Sequence, residues 1–322
     1  MIVRFGLDAL TDVLGELEIE RPTLVAGPRW DALELPITPI GTWHEVPSER
    51  IEDAAVEAEA SDGLVALGGG SAIDLGKAIS AATGRPLVSI PTTYSGAEWT
   101  DFFGIRDPAR RLKGGGAGAR LGGAVYEPRL TLDLPLEPTV GTALNALAHC
   151  AEALYVAGRN PAADRDALEG AGRIASALPE VVAAPFDVDR RTALLEGAMH
   201  AGAALGSAGL GLGHAMAQAL GGRYGLPHGA LNAICLPAAL RFNLLVAADE
   251  IARFGYAMET DDPVGRTEEL ARLGGFERLR DLGVPEGELD DVAEAVVVRA
   301  GAKANPRSAD AGEVAELLRS IY

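Results

Sequence analysis

Cysteine is nearly absent from this chain of 322 residues, occurring only at Cys150 and Cys235. Their spacing does not suit a zinc motif and both lie in apolar surroundings, so buried, reduced thiols are expected. Aromatic residues are also scarce, at 5%, although 48% apolar content is ample for ordinary packed cores. Positive charge is in deficit: 28 Lys and Arg against 46 Asp and Glu leave a formal net charge of −18. Such a surface argues against nucleic acid as a partner and repels anions at long range, so an anionic ligand needs local Lys or Arg to draw it in. Long apolar runs are missing too. No stretch approaches the roughly twenty residues of a membrane span, and Met1-Ile-Val-Arg-Phe-Gly6 lacks a basic segment leading into an apolar core. Neither a signal peptide nor a membrane partner is expected, and the cytoplasm is the expected location. No internal repeat or low-complexity tail is evident.

The length suggests about two domains of roughly 150 residues each. Residues 1–137 alternate short β-rich runs with helical patterns, the signature of a doubly wound α/β unit. Thr23 to Ala26, Gly63 to Leu67 and Leu87 to Ile90 read as buried strands, and Arg50 to Ala58 as an amphipathic helix. The glycine-rich stretch 113–125 reads as a mobile loop or a hairpin corner. Residues 138–322 lose the strand signals, and Ala, Leu, Glu and Arg recur with helical period, so this half should be all helix. Helices are expected to begin near Thr142, Ala162, Val188, Ser207, Pro237, Pro263, Glu288 and Ala311.

Gly68-Gly69-Gly70-Ser71 follows one strand directly and opens a helix containing Asp74 and Lys77. Glycines allow close approach of a pyrophosphate, and the first amides of the helix supply donors and a favourable dipole. The spacing is neither the GxGxxG fingerprint nor a P-loop, so a plain βα turn is the competing explanation. Asp74 would repel a phosphate it faced, which suits it better to orienting the loop, with Lys77 as its partner. Thr92, Thr93, Tyr94 and Ser95 bring hydroxyls to the carboxyl edge of the sheet, where they can bond phosphates or a carboxamide. Such turns are also common for purely local reasons. Lys113 is a candidate cation for the cofactor or for substrate carboxylates. Arg29, just beyond the first strand, can meet a 2′-phosphate, although Asp31 stands close by.

Five histidines occur, and three are grouped. Asn145 and His149 share a helix face at i, i+4, as do His214 and Gln218, and His228 follows across a Gly221-Gly222 break able to fold the chain back. Three imidazoles and one carboxylate would hold iron or zinc. Asn145 withdraws the anion from that set. His200 reads as a packed helical residue and His44 as a loop or strand-edge residue.

Taken together, Gly68 to Lys77, Pro91 to Gly96, the helix of Asn145 to His149 and the segment His214 to His228 resemble the iron-containing (group III) alcohol dehydrogenase family over nearly the whole chain. Tyr94 to Glu98, Asn145 to Tyr155 and Asn305-Pro-Arg307 look most like its maleylacetate reductase branch. The resemblance implies a Rossmann-like nucleotide-binding domain, a helical domain of the dehydroquinate synthase-like fold, and NADH or NADPH held in a cleft with Gly68, Gly69, Gly70, Ser71, Asp74, Thr92, Thr93, Tyr94, Ser95 and Lys113. Relatives bind a divalent metal through one aspartate and three histidines, matched here by Asn145, His149, His214 and His228. The branch lacks that carboxylate, so a divalent metal, Fe or Zn, is not expected to be required. Gln218 is a further departure, because many relatives carry histidine there.

The implied reaction is reduction of maleylacetate to 3-oxoadipate in aromatic-compound catabolism. His149, His214 and His228 are candidates for oxyanion donor and general acid, Asn145 belongs to their site, and Arg223 is a candidate for the substrate carboxylates. An unsaturated oxo-diacid is the expected small-molecule partner and a homodimer the expected assembly. The competing functions are a metal-dependent alcohol or polyol dehydrogenase and an inactive nucleotide-binding sensor. Dehydroquinate synthase fits less well, because its denser set of cationic phosphate-binding residues is not evident.

Overall fold

The computed structural model describes residues 1–107 and 112–322, with the side chains of 106–113 outside the described set. The chain divides into two compact units. The first comprises Met1–Thr93, Ala97–Arg106 and Gly114–Asp133; the second comprises Tyr94–Gly96, Asp107–Lys113 and Leu134–Tyr322.

The first unit is built on a parallel sheet. Its elements are β1 (Ile2–Phe5), α1 (Leu10–Glu16), β2 (Pro22–Ala26), β3 (Gly41–Trp43), α2 (Ile51–Glu57), β4 (Gly63–Gly68), α3 (Gly70–Thr83), β5 (Pro86–Pro91), β6 (Phe103–Asp107), β7 (Leu112–Gly116) and β8 (Arg120–Tyr126). The sheet order is β1-β8-β5-β4-β2-β3, and β6 pairs with β7. All five pairings in the large sheet are parallel. A parallel strand covered on both faces must be apolar throughout, and β4 is buried at every position. Alternation then splits its side chains. Val65 and Leu67 join the cluster of Leu10, Val13 and Leu14 from α1, while Leu64 and Ala66 join Ala54 of α2 and Leu75 and Ile79 of α3.

The glycine-rich stretch is a correction. Residues 112–116 and 120–126 are strands, and Gly122 and Gly123 are needed because a Cβ would lie 2.7 Å from Leu17 and Val13 respectively. Glycine there admits the covering helix rather than loosening the chain.

The second unit is helical: α4 (Leu136–Ala153), α5 (Pro161–Ala183), α6 (Val188–Ala208), α7 (Leu212–Tyr224), α8 (His228–Asn243), α9 (Ala248–Ala257), α10 (Pro263–Arg272), α11 (Leu289–Val297), α12 (Ala300–Ala304) and α13 (Ala311–Ser320). Asn160, Asp187, Asp262 and Asp310 cap their helices by accepting backbone N–H bonds. Four expected boundaries move. Thr142 lies inside α4, Ser207 falls in the last turn of α6 rather than opening a helix, and Pro237 lies inside α8. Gly221 and Gly222 stay within α7, which stops at Gly225, held left-handed at φ 72°. Both cysteines are buried and free. No described helix is long and apolar enough to cross a membrane.

Candidate functional site

In the first unit, β4 hands directly to α3 at the carboxyl edge of the sheet. Gly68 pairs with Pro91, and its carbonyl accepts the Thr92 N–H at 3.0 Å, so the two strand ends lie side by side. Gly68 takes φ 150°, and a Cβ on Gly69 would fall 2.9 Å from Thr93 Cγ2. No side chain caps α3. Its first N–H groups therefore lack intrahelical partners. The buried Thr93 hydroxyl has no partner among the described residues either. An oxygen-rich anion supplies the acceptors that these donors lack, so Gly69, Gly70, Ser71 and Thr93 fit a dinucleotide diphosphate.

Asp74 is turned to another task. Its carboxylate meets Lys77 Nζ at 2.7 Å and accepts the Gly104 N–H at 3.1 Å. Lys77 is buried and donates also to the carbonyls of Ala97 and Phe102 and to Thr100 Oγ1. The pair fixes the loop that enters β6. Arg29 stacks over Trp30, and Asp31 faces His44 Nδ1 at 3.4 Å. The Lys113 side chain lies outside the described residues.

Tyr94 and Ser95 pack with the helical unit. Tyr94 is buried, its N–H donates to Thr142 Oγ1, and its hydroxyl receives Arg191 Nη1 at 3.1 Å. The Ser95 carbonyl accepts Asn145 Nδ2 at 3.1 Å. The sheet-edge segment is thus divided: Thr92 and Thr93 belong with the phosphate turn, Tyr94 and Ser95 with the histidines.

The three histidines do come together. The rings of His149 and His214 stack at 4.6 Å, and those of His214 and His228 are 5.8 Å apart. Asn145, one helical turn before His149 on α4, sits in their midst and is buried. Its Oδ1 faces His214 Nε2 at 3.3 Å and accepts Asn232 Nδ2 at 2.8 Å, while its Nδ2 lies 3.5 Å from His149 Nε2. Asn232, one turn after His228 on α8, also sets Nδ2 3.0 Å from His228 Nε2. The Nε2 atoms of His149 and His228 thus each face an amide nitrogen. Burial, with the neighbouring His214 and His228, holds the His149 pKa well below the usual range, so this imidazole stays neutral.

Glu152 completes the cluster, and nothing in the sequence reading singled it out. It is fully buried and accepts three bonds: from Gly211 N at 2.6 Å, His214 N at 3.1 Å and His214 Nδ1 at 2.7 Å. One carboxylate from α4 therefore caps α7 and orients the imidazole that α7 carries. Both nitrogens of His214 face oxygen atoms, Nδ1 that of Glu152 and Nε2 that of Asn145. The Arg223 guanidinium is engaged by Glu288 at 2.7 Å and Asp291 at 2.9 Å.

Among the described residues no three His, Cys, Asp or Glu side chains form a set that could hold a metal ion. Amide nitrogens face Nε2 of His149 and of His228, and the residue between the rings is a carboxamide.

Residues 4–121 match the model of the iron-containing alcohol dehydrogenases, and residues 139–322 match the C-terminal model of the same family. The chain belongs to the iron-containing alcohol dehydrogenase family. It is an oxidoreductase of this NAD(P)-using family, and the parallel sheet with a helical C-terminal region is the family fold. A maleylacetate reductase of Burkholderia cepacia is 37% identical over 89% of this chain and 81% of its own. Another, from Pseudomonas knackmussii, is 34% identical over 99% of this chain and 95% of its own. The crystal structure of maleylacetate reductase from Agrobacterium tumefaciens superposes with a TM-score of 0.90 at 29% identity, covering 100% of this chain and 95% of that one.

Proposed function

We propose that this chain reduces maleylacetate to 3-oxoadipate with NADH or NADPH. The observation that carries the proposal is the carboxamide pair Asn145 and Asn232 at the centre of three histidines, in a chain whose relatives include several maleylacetate reductases. Gly69, Gly70, Ser71 and Thr93 would hold the dinucleotide, and its nicotinamide supplies hydride to the alkene. The remaining work falls to the helical unit. As the alkene is reduced, negative charge builds on the ketone oxygen as an enolate, and stabilising it is the largest task. His214, whose Nδ1 is oriented by Glu152, is assigned to turn its Nε2 from Asn145 Oδ1 to that charge and to return a proton. His149 is the neutral neighbour, kept so by burial. Asn145 and Asn232 are assigned to hold the rings in register. The reaction is balanced by one hydride from the cofactor and one proton from solvent through His214.

Anaerobic oxidation of NADH and of NADPH against fresh maleylacetate and a panel of aldehydes tests the reading. Turnover with maleylacetate and a loss of about 10²-fold in kcat for His214→Gln are expected. Activity confined to aldehydes, lost on chelation and restored by iron or zinc, would instead establish a metal-dependent alcohol dehydrogenase. A cytoplasmic homodimer belongs to the same proposal, and light scattering checks the assembly.

A further inference from the structure

Maleylacetate carries two carboxylates, and the cation first considered for them, Arg223, is engaged by acidic neighbours. Arg299 stands at the start of α12 and has a different environment. Its Nη1 meets Gln218 Oε1 at 3.5 Å, and Nε is enclosed with no partner among the described residues. No carboxylate among the described residues forms an ion pair with it. Desolvation alone lowers its pKa, as expected of a half-buried cation without an anion beside it. Gln218 lies one turn after His214, on the same face of α7. The segment bearing Arg299 is pressed onto the start of that helix: a Cβ on Gly301 would fall 2.5 Å from the Gly211 carbonyl, and Asn305 Oδ1 accepts the Leu212 N–H at 3.4 Å. Asn305 is itself locked by paired amide bonds with Asn243, at 2.7 and 3.0 Å. The Asn305-Pro-Arg307 motif thereby fixes where Arg299 sits relative to the histidine helix.

We propose that Arg299, steadied by Gln218, binds one terminal carboxylate of the oxo-diacid and selects diacids over uncharged carbonyl compounds. The inference rests on the reductase reading for the identity of its ligand. A planar guanidinium recognises a carboxylate through parallel N–H bonds, and a poorly solvated one gains most from an anion. Because this contact is remote from the reacting atoms, its loss raises KM more than it lowers kcat.

The test separates binding from turnover. Calorimetry of the NADH-loaded protein with adipate, a saturated six-carbon diacid, is compared between wild type, Arg299→Gln, Arg299→Lys and Gln218→Glu. Wild type should bind adipate at least about tenfold more tightly than Arg299→Gln, as expected for a charge-assisted bond. Arg299→Lys should recover part of the difference. Gln218→Glu keeps the arginine but sets a carboxylate against it, and should weaken adipate to a similar degree if Arg299→Gln fails to fold. Adipate affinities within threefold across all four proteins, or no binding by wild type, would overturn the proposal. Wild type that binds adipate through Arg299 yet does not reduce maleylacetate would uphold this site and refute the reductase reading. Maleylacetate turnover with KM unchanged in Arg299→Gln would do the reverse.

Discussion

At the scale of single residues, the cluster is decided by one functional group. Asn145 donates to Ser95 O and directs its remaining hydrogen at His149, whereas a carboxylate could do neither. Asn145→Asp should therefore cost about 3 kcal/mol without metal, because a buried charge replaces a satisfied amide. It should also acquire affinity for Zn2+, with thermal stability recovered on adding the ion. Melting curves with and without Zn2+ check both signs, and a melting temperature indifferent to zinc would refute the claim. Glu152 supports a second prediction. Glu152→Gln should lower kcat by about 10²-fold while leaving NADH affinity unchanged, and should add nothing further in a His214→Gln background. Equal losses in both backgrounds would reduce Glu152 to a helix cap. The i, i+4 rule that joined Asn145 with His149 also pairs His228 with Asn232, a residue that the sequence pattern alone did not single out. Glu152, three residues after His149 on the same helix, was passed over as well. Its target, the α7 N-terminus, is a tertiary contact between residues 59 and 62 positions apart, which no local pattern announces.

At the scale of elements, apolar runs bounded by turns located β2, β4 and β5 because burial on both faces leaves a continuous hydrophobic trace. Strands β1, β3, β6, β7 and β8 escaped, being short or carrying glycine where a neighbouring strand or helix packs close. Local propensity reads Gly221-Gly222 as a break, but packing keeps it helical: Gly222 is buried, and the chain turns only where Gly225 can adopt a positive φ. The turn between β4 and α3 gives a prediction in which stability and binding move apart. Thr93 Oγ1 is buried with no partner among the described residues, so Thr93→Val should leave folding unchanged or improve it by up to ~1 kcal/mol. If that hydroxyl serves a phosphate, NADH affinity should fall about tenfold. Gly69→Ala should weaken NADH as well and also destabilise the fold, since its Cβ would crowd Thr93 Cγ2. Denaturant midpoints and fluorescence titrations of the two variants distinguish an anion cradle, which predicts opposite stability effects with a shared binding loss, from a tight turn that only packs.

At the scale of the whole molecule, helices and acidic surface set the background against which the buried cluster titrates. His149 is neutral in the folded chain at pH values where an exposed imidazole takes up a proton. As pH falls through about 6.5, the unfolded chain binds a proton at this position and the folded chain does not, so the stability gained by burying a neutral ring is progressively lost. Buried Glu98 acts in the opposite direction. Desolvation raises its pKa, so the folded chain holds a proton above pH 4.5, where the unfolded carboxylate has released it, and this position destabilises the fold as pH rises. The net pH profile therefore mixes both slopes, and the His149 contribution emerges from a difference. The unfolding free energy of wild type minus that of His149→Gln should decline from pH 7 toward pH 5 with a slope approaching 1.4 kcal/mol per pH unit, set by one proton. Urea melts at half-unit pH steps provide it. A flat difference would mean that His149 charges freely in the folded state, and the neutral neighbour assigned to His214 would have to be given up.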